Sequence, residues 1–227
     1  AAPAPTLPAE QVFSIYSDAY TSSVIRVTGG WGQSTKEEEV VLAEGDKAFY
    51  YTNCNYLGWE FNGSTTIGDM TAYPKLHLDI YVAEAASIKF TPIWGGEALK
   101  DYALQAGWNA IDINLVTEFV GINLTNIIQV KWDAMPATCY IDNVYFYKEV
   151  HQEVTESLEI TEDYAYTSLT ITEDGKVTIS NSATLTVKDF VIQSTMGAGE
   201  SGQLLGATLD NFDVIGDAYI DITLGKD

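Results

Sequence analysis

Between Val12 and Lys148 the chain carries nine short runs of apolar or alternating residues: "VFSIYS", "EVVLAE", "AFYYTN", "YLGWEF", "LHLDIYV", "SIKFTPIW", "AIDINLV", "IIQVKWD" and "CYIDNVYFYK". Gly, Asn and Asp punctuate them, and no long stretch repeats with the 3.6-residue period of an amphipathic helix. Side chains alternate faces along an extended backbone, so period-two runs with frequent turn residues describe strands packed face to face. The expectation is an all-β fold with a jelly-roll β-sandwich over residues 11–149. Segment 97–107, "EALKDYALQAG", reads as a loop with room for a helical turn or two before Trp108, itself read as a plug in the core.

The texture changes after Lys148. A charged connector, "EVHQEVTESLEI", leads into quartets spaced eight residues apart: "SLTI" at 168, "KVTI" at 176 and "TLTV" at 184, with "FVIQ" at 190. Three sides of about eight residues would make a coil of roughly two dozen, each strand stacking on its equivalent in the next coil. An antiparallel meander with "TEDGK" as a hairpin turn is the alternative. Residues 150–227 are therefore expected to form a small C-terminal β-domain, β-helix-like or a meander. The opening "AAPAPTLPAE" reads as a linker over residues 1–10, left after upstream sequence was removed.

Composition narrows the partners. The formal charge of −21, from 32 acidic and 11 basic residues, repels phosphate backbones and anionic lipid, so neither nucleic acid nor membrane insertion is expected. No apolar run approaches the ~20 residues that span a bilayer. Divalent cations and neutral polymers stay open. Two cysteines, Cys54 and Cys139, make no disulfide scaffold; they are one bridge or two buried thiols. Scarce Lys with abundant Thr, Tyr, Asn, Asp and Gly fits a secreted or surface-exposed protein, and a monomer is expected.

Alternation also sorts faces. Leu76, Leu78, Ile80 and Val82 go inward, as do Leu57, Trp59 and Phe61, then Ile88, Phe90 and Trp94, and Ile128, Val130 and Trp132. If these strands neighbour one another in a single sheet, the opposite face is a polar platform of Tyr56, Glu60, His77, Asp79, Tyr81, Lys89, Thr91, Gln129 and Lys131. Such a surface offers donors and acceptors for hydroxyls and Tyr rings for the C–H face of a pyranose, although any half-solvated sheet has polar alternation. Trp31, between glycines in "TGGWGQST", reads as a loop aromatic able to stack on a sugar or to lid the sandwich edge; Tyr73 and Tyr102 are weaker versions. The Glu37, Glu38 and Glu39 run reads as a solvated face. No nucleophile triad or HExxH zinc motif is present, and "MGAGESG" at 196–202 lacks the Lys of a phosphate loop. Of paired carboxylates suited to glycoside hydrolysis, only Glu60 with Asp79 is favoured by the strand reading. The chain is read as non-enzymatic.

One residue resists the alternation logic: Asp142, a carboxylate inside the aromatic strand "CYIDNVYFYK", where burial is costly without a partner. That segment, with "VFSIYSDAYT", "LHLDIYV" and "GWNAIDINL", resembles the galactose-binding-domain-like jelly rolls that serve as carbohydrate-binding modules in polysaccharide-utilising surface proteins of Gram-negative bacteria. The resemblance covers about residues 10 to 148; the C-terminal rhythm is similar, less closely, to β-helical repeats of secreted bacterial proteins. It implies non-catalytic binding of a poly- or oligosaccharide outside the cell, on the outer surface or in the periplasm. It also implies a structural calcium ion held by Asp18 and Asp142 where the first and last strands meet; calcium takes 6–8 oxygen ligands. A further acidic ligand usual in such modules is not evident. The competing reading is an adhesive or structural spacer that binds no sugar.

Overall fold

A computed structural model describes residues 1–63, 65–172, 175–179, 183–192, 212–214 and 219–222. The Gly-rich run at 196–202 and residues 173–174 of the "TEDGK" turn lie outside the described residues. The chain divides into two compact units, residues 1–5 with 9–148, and residues 6–8 with 149–227.

The first unit contains β1 (Val12–Tyr16), β2 (Arg26–Thr28), β3 (Lys36–Val41), β4 (Lys47–Thr52), β5 (Tyr56–Phe61) and β6 (Lys75–Val82). They are followed by β7 (Ala86–Ile93), β8 (Lys100–Leu104), β9 (Gly107–Asn114), β10 (Gln129–Asp133) and β11 (Thr138–Tyr147). These form two antiparallel sheets. One runs β3-β4-β11-β6-β9 with β1 also paired to β11; the other runs β2-β5-β10-β7-β8. The chain crosses repeatedly from one sheet to the other, giving a jelly-roll β-sandwich. Segment 97–107 is not a loop with helical turns: Lys100–Leu104 pairs with β7 as an edge strand, Lys89 opposite Asp101.

A single core gathers the inward faces of both sheets. Leu57, Trp59, Phe61, Phe90, Val130 and Trp132 meet Leu76, Leu78, Ile80, Ile141, Val144 and Phe146, all at or near zero exposure. The Trp59 and Trp132 rings meet edge to face at 4.9 Å. Burying each such side chain contributes ~1.5–3 kcal/mol, which is why the alternating pattern fixes the faces. Trp108 is not among them. It stands opposite Tyr81 on the outer face of the β1-containing sheet, ring centroids 5.6 Å apart, because Ile113 takes the inward parity of β9 and Trp108 the outward one.

A half-buried polar network links strands of the two sheets. The Arg26 guanidinium of β2 donates to both Glu37 oxygens of β3 at 2.9 Å. Glu37 also accepts from the Thr28 hydroxyl and the Tyr51 phenol, each at 2.6 Å, and the Trp59 indole donates to the Tyr51 oxygen at 3.0 Å. The guanidinium sits 3.9 Å from the Phe49 ring centroid. Burial alone would raise the Glu37 carboxyl; the hydrogen bonds from Arg26, Thr28 and Tyr51 outweigh it and hold the group below its ordinary value. Glu37 is thus no part of a solvated charge run: its side chain is 20% exposed and that of Arg26 11%.

The second unit contains β12 (His151–Val154), β13 (Ser157–Ile160), β14 (Tyr164–Ile171), β15 (Lys176–Ile179), β16 (Thr184–Ile192), β17 (Phe212–Val214) and β18 (Tyr219–Ile222). They pair in parallel in two sheets, β12-β14-β16-β18 and β13-β15-β17. Its own core includes Leu169, Ile171, Val177, Ile179, Leu185 and Val187. The quartets at 168 and 176 fall in different sheets. His151 sits opposite Ser168, Ser157 opposite Lys176 and Tyr164 opposite Leu185. Further on, Val177 sits opposite Phe212 and Thr184 opposite Tyr219, so the spacing between paired strands lengthens along the unit and does not follow one period of two dozen residues.

Candidate ligand-binding groove

The outer face of the β2-containing sheet holds a groove of about 420 Å³ lined by Trp31, Tyr56, Ile93, Glu97, Gln129, Lys131 and Asp133. Register explains the floor. Glu60, Gln129 and Ile93 lie side by side on β5, β10 and β7; Gly58, Lys131 and Thr91 form the next rung; Tyr56, Asp133 and Lys89 the one after. Alternation sends these residues outward while Leu57, Trp59, Val130 and Trp132 go inward.

Trp31 forms one wall, and it depends on a missing side chain. The six-membered ring of its indole lies over Gly58, so close that a Cβ there would collide with Cη2 and Cζ3. The indole N–H donates to Glu60 Oε1 at 2.6 Å. The loop is braced from below: the Tyr56 phenol donates to the Trp31 carbonyl at 2.6 Å, the Trp31 N–H to Gln33 Oε1 at 2.9 Å, and the Gln33 amide to the Gly29 carbonyl at 2.6 Å. The residue is half-buried, its ring resting on the sheet at Gly58 and bordering the groove. Opposite, the Lys131 ammonium lies 3.5 Å from Glu97 and 3.9 Å from Asp133. One ammonium between two carboxylates, an amide, a phenol and an indole make a groove of mixed apolar and hydrogen-bonding character without excess positive charge.

The expected platform is therefore two surfaces. Trp31, Tyr56, Gln129 and Lys131 line the groove, and Glu60 braces it. Lys89 faces the same way but pairs with Asp101 at 2.8 Å. Thr91, expected on the surface, is buried, its hydroxyl accepting from the Ala98 N–H at 3.0 Å because the segment after β7 folds over it. His77, Asp79 and Tyr81 belong to β6, in the other sheet, and cannot join the groove. This also separates the carboxylates of Glu60 and Asp79, the pair considered for hydrolysis. Ile93, Glu97 and Asp133 complete the lining. Asp133 and Ile93 follow from the alternation of their strands; Glu97 carries no such signal. Tyr102 donates to Glu118 at 2.7 Å and Tyr73 packs on Phe13, so neither offers a free platform.

Tyr81 lies in an aromatic row on its sheet, 5.7 Å from Tyr140, which stacks on Tyr50 at 4.7 Å. His77 is wedged on the Tyr145 ring, its Nδ1 2.9 Å from Asp112 and its Nε2 3.4 Å from Asp79. Burial would lower its pKa, but these carboxylates prevail and push it up to about 9. Asp79 is not solvated: it is 2% exposed and accepts from the Asn143 amide at 2.8 Å.

Asp142 lies beside it, fully buried, in a bulge where Asn143 adopts φ 47° and the register with β6 shifts. Its Oδ1 accepts from the Asn143 N–H at 2.7 Å, while Oδ2 has no hydrogen-bond partner. Burial, then the charges of Asp46, Asp79 and Asp18, push its pKa up to about 7, with the Asn143 N–H opposing. Asp18 is exposed and accepts from the Lys47 N–H at 2.6 Å. The charges of Asp46, Asp79 and Asp18 act against ionised Asp142, and a buried oxygen without a partner fits a cation ligand. Among the described residues, however, no three His, Cys, Asp or Glu side chains are drawn into a compact ligand set.

No family model matches the chain, and no curated protein matches it. Solved structures do. A family 11 carbohydrate-binding module from Clostridium thermocellum, in complex with a β-1,3-1,4-mixed-linked tetrasaccharide, is 17% identical over 61% of this chain and 95% of its own, with a TM-score of 0.41. A family 29 carbohydrate-binding module is 9% identical over 60% of this chain and 86% of its own, TM-score 0.39. A variant of such a module complexed with mannohexaose is 10% identical over 60% and 89%, TM-score 0.39.

Proposed function

We propose that this chain binds a neutral poly- or oligosaccharide without transforming it, in the groove between the Trp31 loop and Lys131. The observation that carries this reading is the indole of Trp31, fixed against Gly58 and Glu60 beside Gln129 and Lys131. An aromatic plane takes up the apolar face of a sugar ring, and the amide, phenol, ammonium and carboxylates match its hydroxyls. The net charge of −21 disfavours acidic polymers.

Around that site, the buried Asp142 and nearby Asp18 are proposed to hold a structural calcium ion that fastens the ends of the first unit. The parallel strands after Lys148 are proposed to be a short β-solenoid. Among the described residues no helix is long and apolar enough to cross a membrane. The proposed setting is the outer surface or periplasm of a Gram-negative bacterium, with the chain a monomer. A glycan array followed by titration tests the site: Trp31→Ala should abolish binding with the circular dichroism spectrum intact. Silence of the wild-type protein across neutral and acidic glycans would instead leave a spacer.

A further inference from the structure

The two cysteines, 85 positions apart in sequence, meet in the fold. Cys54 sits in the corner between β4 and β5, and Cys139 is the second residue of β11. In the β4–β11 ladder Thr52 lies opposite Thr138 and Tyr51 opposite Cys139. Just past it the Cys54 N–H donates to the Ala137 carbonyl at 3.3 Å. The two thiols lie close enough to shift one another's pKa, Cys139 buried and Cys54 half-buried against the same core.

We propose that Cys54 and Cys139 are a redox pair that closes to a disulfide, with Cys54 as the attacking thiol, Cys139 as the resolving thiol, and a low-molecular-weight disulfide as oxidant. The Cys54 thiolate attacks one sulfur of the oxidant, breaking its S–S bond and releasing one thiol. The Cys139 thiol then gives up its proton and attacks Cys54 in the mixed disulfide, expelling the second thiol. The protein loses two protons and two electrons, together the mass of two hydrogens, and one oxidant disulfide becomes two thiols. Order follows from access, since only Cys54 reaches solvent. Contact with Cys139 also draws the Cys54 pKa down, while contact with Cys54 and burial push Cys139 up.

The bridge would fasten more than two strands. The neighbouring residues Asn53 and Asn55 hold the base of the Trp31 loop: the Ser34 hydroxyl donates to the Asn53 carbonyl at 2.9 Å, and the Ser34 N–H and Thr35 hydroxyl to Asn55 Oδ1 at 3.0 and 3.1 Å. Closure ties this corner to β11.

The test treats the fully reduced chain with oxidised glutathione under native conditions, followed by thiol alkylation and intact mass measurement. The wild-type protein should lose the mass of two hydrogens and take up no alkylating agent. Cys139→Ser should stop as a glutathione adduct at Cys54, and Cys54→Ser should stay unmodified while folded yet alkylate in urea. If Cys139→Ser does not fold, Cys139→Ala takes its place. A wild-type chain that keeps both thiols, or that accumulates the Cys54 adduct without closing, overturns the proposal.

Discussion

Gly58 has no side chain, and the Trp31 indole uses the space one would need. Gly58→Ala should expel the ring, shift tryptophan emission toward that of solvated indole, and weaken ligand binding tenfold or more, equivalent to about 1.4 kcal/mol; an unchanged affinity would show that the ring is not part of the site. Asp142 makes a prediction of opposite sign to an ordinary salt-bridged carboxylate. Its folded pKa of about 7 lies above the unfolded value of 3.8, so the folded state binds this proton more tightly. Through Asp142, acidification from about pH 7 towards 3.8 stabilises the metal-free protein, and above pH 7 its charge destabilises it. In chelator, Asp142→Asn should therefore melt higher than the wild type above pH 7 and lose that part of the gain on acidification. With calcium the order should reverse: chelation should lower the wild-type melting temperature by several degrees and leave the variant unmoved. A variant still sensitive to chelator would place the ion elsewhere.

At the scale of elements, the Arg26–Glu37 pair decides how β2 is held against β3 and β4. Removing one partner of a buried pair strands the other, at a cost of ~3–5 kcal/mol. Glu37→Ala should lose stability of that order in urea titration, because Arg26 and the Tyr51 phenol are then left without their acceptor. A double-mutant cycle with Arg26→Ala should return strong coupling. A loss below 1 kcal/mol would mean that water enters the network freely. The inward faces of β5, β6, β7 and β10 could be read from alternation, and so could the placement of Tyr56, Gln129 and Lys131 on a common outward face. The error lay with β6. Its pattern is indistinguishable from that of β5, so nothing local reveals that His77, Asp79 and Tyr81 look out from the opposite sheet.

For the whole molecule, two separate cores imply two units of stability. A fragment ending at Lys148 should fold, unfold in one cooperative urea transition, and bind glycan with the affinity of the full chain, since every groove residue lies within it. A fragment that stays unfolded would overturn the independence of the two units, and one that folds but no longer binds would make the C-terminal unit part of the site.

The sequence by itself determined most of the strands and core faces, the change of character after Lys148 and four of the residues lining the groove. These follow from short-range periodicity, which burial enforces residue by residue. Tertiary structure alone decided which strands share a sheet, that Trp31 rests on Gly58, that Glu37 is half-buried against Arg26, and that Cys54 lies beside Cys139. Each is a contact between different strands or loops, set by register and crossover, and none leaves a local pattern to read.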